Sequence, residues 1–89
     1  MALTGTYVQD GYAVPNSYVL ARNQNFIAPL VVNVTAEVYP SQQAAATWAA
    51  PLFIVNGAFN YDPNAADNVY AQSYNYLLTL PQFQGFIPA

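Results

Sequence analysis

Chemistry near neutral pH needs a side chain that can trade a proton or attack, and this sequence has neither histidine nor cysteine. Most nucleophile–base pairs and triads are thereby removed. What is left is four carboxylates, Asp10, Glu37, Asp62 and Asp67. A pair of them could serve a glycosidase-like mechanism, but each has a local structural role. Asp10 precedes Gly11 in a turn dipeptide, and Glu37 falls on the polar side of an alternating strand. Asp62 precedes Pro63 as a helix N-cap, with Asp67 near that helix's positive end. The histidine and cysteine clusters of zinc sites and the closely spaced acids of calcium loops are missing. Gly5, Gly11, Gly57 and Gly85 are too scattered to build a phosphate-cradling loop. The expectation is a protein without catalytic, cofactor-binding or metal-binding residues and without a small-molecule substrate. It is read as no enzyme.

The same scarcity runs through the composition. Charged residues make up 6% of the 89 positions, against about 25% in an ordinary soluble domain. Arg22 is the lone basic residue, too little to neutralise a phosphate backbone, so nucleic acid is not expected as a partner. The longest apolar stretch, Phe26 to Val34, is interrupted by Pro29 and Asn33 and is too short for a membrane span. The start, Met1-Ala2-Leu3-Thr4-Gly5, lacks the basic and apolar regions of a secretory signal. With no disulfide to reinforce it, a chain this short is expected to form one domain over residues 1–89, held by packing and supported by partners. Eight tyrosines fit that picture, since one ring combines apolar area with a hydrogen-bonding tip.

The elements that would position these groups are a sheet and a helix. Leu3 to Gln9 has strand composition and ends at Asp10-Gly11, a strong reversal signal. Val14-Pro15 excludes helix, and Ser17 to Arg22 continues extended, with Tyr18, Leu20 and Arg22 on one face and Val19 and Ala21 on the other. Asn23-Gln24-Asn25 reads as a loop or a second reversal. From Leu30 to Tyr39, Val32, Val34, Ala36 and Val38 alternate with polar residues, so one face turns inward. Ser41 to Ala50 reads as a connecting loop closed by Pro51. Leu52 to Tyr61 reads as a single aromatic strand with a bulge at Asn56-Gly57. Asp62-Pro63 opens a helix of about 63–80, whose stripe is Ala66, Val69, Tyr70, Ser73, Tyr74, Leu77 and Leu80. Tyr76 and Leu78 lie off that stripe, either extending it or meeting another subunit. Pro81 ends the helix before an apolar tail, 82–89. The fold class is therefore α+β: a small antiparallel β-sheet of about four strands over residues 3–61, with one C-terminal α-helix packed on it.

Taken in order, several blocks resemble a known group of proteins: the opening Met1 to Tyr7, the Val14-Pro15-Asn16-Ser17-Tyr18 strand start, the Val32 to Tyr39 strand, and the run Tyr74 to Phe83. The chain resembles small proteins of about this length that are virion structural components of tailed bacteriophages. It departs from them in the Ala- and Gln-rich stretch Ser41 to Ala50 and in its low charge. The resemblance implies a sheet with a C-terminal helix used as a building block of the particle, assembled in the host cytoplasm. The expected function is a tail-, baseplate- or fibre-associated adaptor that contacts other virion proteins, copies of itself, or both. A capsid decoration or neck protein is the alternative. Outside that class stands a glycan-binding module using Tyr7, Tyr12, Tyr18, Tyr39 and Trp48 as a stacking platform. The expected protein-interface residues are Trp48, Phe53, Phe59, Tyr61, Tyr76, Leu78, Phe83, Phe86 and Ile87. Deleting Gln82 to Ala89 is expected to weaken assembly more than folding.

Overall fold

A computed structural model describes residues 2–47 and 50–89. The elements run β1 (Leu3–Gln9), β2 (Tyr12–Ala28), β3 (Val31–Tyr39), α1 (Gln42–Ala46), β4 (Phe53–Asn60), α2 (Val69–Leu77), a 3-10 turn (Pro81–Phe83) and β5 (Ile87–Pro88). The strands form one five-stranded antiparallel sheet in the order β4-β3-β2-β1-β5, one strand more than the composition suggested. The class is α+β, with helix α2 packed on the sheet. Among the described residues no helix is long and apolar enough to cross a membrane.

The first four strands are a meander, so β1 and β4 end on opposite sides of the sheet. Asp10 and Gly11 make the first reversal with φ of 53° and 82°, the doubly left-handed turn that matches strand twist. β3 keeps the period of the sequence: Val32, Val34, Ala36 and Val38 are all fully buried, while the residues between them face outward. Burying a side chain such as Val38 contributes roughly 1.5–3 kcal/mol. Their cross-strand partners complete one inner face, with Val38 between Val19 and Phe53 and Ala36 between Ala21 and Val55.

β2 does not reverse at Asn23-Gln24-Asn25. It continues to Ala28, and the polar residues lie in a bulge, with Asn23 and Gln24 set against the single residue Val34. The Gln24 amide donates to the Ala21 carbonyl at 3.3 Å. Pro15 and Asn16 make a similar bulge against Thr6, with Asn16 at φ 57° and the buried Ser17 hydroxyl donating to the Val14 carbonyl at 2.7 Å. These extra residues bend and twist the longest strand, which curves the sheet around its core.

Three further expectations are corrected. Residues 42–46 are a short helix, not a loop, because the Ser41 hydroxyl accepts from the Ala44 N–H and starts the turn. The C-terminal helix spans Val69–Leu77, not 63–80, and begins there because Asn68 is the cap and accepts from the Ala71 N–H at 2.9 Å. Asp62 instead accepts from the Asn64 N–H in a local turn, and the Gln72 amide clasps the carbonyls of Asp62 and Asp67. Finally, β4 pairs with β3 in unbroken register from Val31–Asn60 to Val38–Phe53, so Asn56-Gly57 is no bulge. A side chain at Gly57 would overlap the Tyr76 ring, so glycine there makes room for the helix.

The tail does not project outward to a partner. From the β4 side the chain crosses the inner face as α2 and ends beside β1, where Leu3 pairs with Pro88 and the Ala89 N–H donates to the Ala2 carbonyl at 2.9 Å. Phe83 and Phe86 are buried on the way, and Phe86 lies over Gly5, where a Cβ would touch its ring. The C-terminal segment is a wall of the core.

Candidate interaction surface

Glu37 and Asp67 are engaged locally. Glu37 accepts from Arg22 Nε at 3.1 Å and from the Tyr39 hydroxyl at 2.7 Å, on the outer face of the sheet. Asp67 accepts from the Asn75 amide at 3.2 Å. Donating to Glu37, and then burial, raise the Tyr39 phenol above its ordinary value, while burial raises those of Tyr7 and Tyr74. These phenols are therefore held protonated and are not activated as nucleophiles. Among the described residues no three metal-ligating side chains converge.

Helix α2 shows how its polar atoms are spent inside the fold. Ser73, Tyr74 and Leu77 are buried at helical spacing, and the Tyr74 hydroxyl accepts from the Ala21 N–H at 3.0 Å. That bond serves β2 beyond Leu3–Val19, where β1 has run out. Tyr76 and Leu78, off the expected stripe, extend it: both pack against the core, and Tyr76 stacks on Phe59 with centroids 5.5 Å apart. Tyr70, on the stripe, is exposed.

The expected interface residues divide accordingly. Phe83 and Phe86 belong to the monomer's own core, and Tyr7 packs between Phe53 and Phe83 at 4.9 and 5.8 Å. Phe53, Phe59, Tyr61, Tyr76 and Leu78 are half-buried, keeping part of each side chain outside, and among the described ones only Ile87 stands largely free. Trp48 lies outside the described residues. The proposed glycan platform is dismantled, since Tyr7 and Tyr39 are buried.

Surface apolarity appears in part at places the sequence did not single out. Phe26, Ile27 and Leu30 form an exposed tip where β2 turns into β3, with Phe26 edge-on to Tyr61 at 5.6 Å. Leu52, just before β4, and Ile54 within it are exposed, and Val8 and Tyr12 flank the turn of the first hairpin. The signal for the tip was the uninterrupted Phe26-Ile27-Ala28 run beside Pro29, which carried no polar residue to turn outward. A small cleft of about 180 Å³ lies between the chain start and α2, lined by Leu3, Ala71, Tyr74, Leu78 and Pro88, with Asp67 and Asn75 contributing polar groups. Its walls offer packing and a hydrogen bond, not a reacting pair.

Compared with known protein families, curated proteins and solved structures, the chain has no match.

Proposed function

We propose that this chain is a structural subunit of a tailed-bacteriophage virion, a tail-, baseplate- or fibre-associated adaptor that acts through contacts with other virion proteins and with copies of itself. The observation that carries this reading is a fold that has its own buried core and still exposes Phe26, Ile27, Leu30, Leu52 and Ile54 on a chain with 6% charged residues. A free monomer gains nothing from such groups in water, whereas a subunit buries them at assembly. The block resemblance to small virion components supplies the biological setting.

Mass spectrometry of purified particles, separated into heads and tails, tests the reading. Peptides of this chain are expected in the tail fraction. Recovery with heads alone would make it a decoration protein, and absence from washed particles would end the proposal.

A further inference from the structure

Among the described residues no strand pairs with the free side of β4, which is a sheet edge. Tyr61 N–H donates to the Leu30 carbonyl at 2.7 Å, in line with the Val31–Asn60 register. Hydrogen bonding alternates along an antiparallel strand, so the odd-numbered residues of β4 bond to β3. The N–H and C=O groups of Ile54, Asn56, Ala58 and Asn60 therefore point away from the sheet. Natural edges are blunted by charge, proline or a bulge. β4 has none of these between Phe53 and Asn60.

We propose that β4 pairs antiparallel with β4 of a second copy about a two-fold axis through Asn56. The strand is a size-matched palindrome about that residue. In this register Phe53 meets Phe59 of the second copy on the inner face, and Val55 meets Gly57. On the outer face Ile54 meets Ala58. Large residues thus face small ones and aromatic faces aromatic, the pairing that stabilises neighbouring strands. Asn56 meets itself, and since its Oδ1 already accepts from Thr35 at 2.9 Å, its amide nitrogen can donate across the axis. About six backbone hydrogen bonds would form, and two five-stranded sheets become one continuous sheet.

Charge selects the same occupant. No charged residue lies between Leu52 and Tyr61, so nothing on the edge recruits an acidic or basic peptide, and nothing repels a copy. The nearest charge, Asp62, is carried to opposite ends by antiparallel pairing, whereas parallel pairing would set the two Asp62 side by side. The proposal deepens the assembly reading and rests on it for its setting. Its test uses the purified chain alone, so each can fail without the other.

Sedimentation of the purified chain should give about twice the 9.7 kDa chain mass. Because the chain has no cysteine, single introduced thiols report the register. Asn56→Cys should crosslink to its own copy on mild oxidation, since hydrogen-bonded cross-strand Cα atoms lie about 5.5 Å apart, within disulfide range. Ile54→Cys should not, being opposite Ala58. Asn56→Lys, which sets two ammonium groups against each other at an exposed position, should weaken dimerisation at least about tenfold with the circular-dichroism spectrum unchanged. A wild-type chain that stays monomeric overturns the proposal, as does crosslinking of Asn56→Cys no faster than of Ile54→Cys. If Asn56→Lys does not fold, the crosslinking comparison decides alone.

Discussion

Gly57 shows how much rests on a single missing Cβ. The Tyr76 ring lies over it and stacks on Phe59, so Gly57→Ala must displace a ring that is already stacked on a neighbour. Thermal denaturation should show a loss of about 1–3 kcal/mol, each worth roughly 4–8 °C in a domain of this size. In the Tyr76→Leu background the alanine should cost much less, and additive losses would mean that ring and glycine are not coupled. The Asn-Gly pair marked this position in the sequence as special, but a bulge and a close ring approach leave the same letter. Only the second partner, far along the chain, distinguishes them. The tyrosines set the pH dependence. Tyr39, Tyr74 and Tyr7 have phenols raised from the ordinary 10.0, by hydrogen bonding to Glu37 first for Tyr39 and by burial first for the others. The folded state therefore holds these protons more tightly than the unfolded chain, and their contribution is intact below pH 10 and lost as pH rises through the folded values. Melting temperature followed alongside phenolate absorbance should stay level from neutrality to about pH 9 and then fall. A fall beginning near neutrality would contradict this assignment.

At the scale of elements, β3 and the first hairpin were readable because their signals are local: β3 alternates as its residues demand, and the Asp10-Gly11 turn is made where turn chemistry placed it. Helix α2 was readable in the Ser73, Tyr74 and Leu77 part of its stripe but not in its start, because Asp62-Pro63 and Asn68 are both good openings and tertiary contacts choose between them. Gln72 holds residues 62–67 in a turn and leaves Asn68 to cap. Asn68→Ala should therefore cost about 1 kcal/mol, while Asp62→Ala costs less than half of that in urea denaturation. The reverse ranking would restore the longer helix. The tail was the clearest misreading. Apolar residues after a terminal proline are equally suited to a partner and to the chain's own sheet, and nothing local distinguishes them. Because Phe83 and Phe86 are buried against Tyr7 and each other, deleting Gln82 to Ala89 should abolish cooperative unfolding, not merely assembly. A truncated chain with a sharp, near-native melting transition would return the tail to the partner surface.

Over the whole molecule the balance of forces is lopsided. The meander places β4 and β1 at opposite sides, and α2 with the following turn crosses between them, so one apolar layer joins β1, β2, β3 and β4. Against that layer, the Arg22–Glu37 ion pair is partly exposed on both sides and worth at most about 1 kcal/mol. The other three acids sit in turns and loops, where solvent screens them. Stability should consequently ignore simple screening and respond to agents that act on apolar surface. Raising sodium chloride from about 0.02 to 0.5 M should move the melting temperature by no more than roughly 3 °C, because the Debye length shortens around charges that contribute little. Ammonium sulfate at comparable ionic strength should raise it clearly, since an excluded salt strengthens burial of Val34, Leu77 and Phe83. The two salts separate the forces because both screen, while sulfate is the more strongly excluded. A steep loss in sodium chloride would mean that the few charges carry the fold, which the placement of Arg22 against Glu37 and Tyr39 argues against.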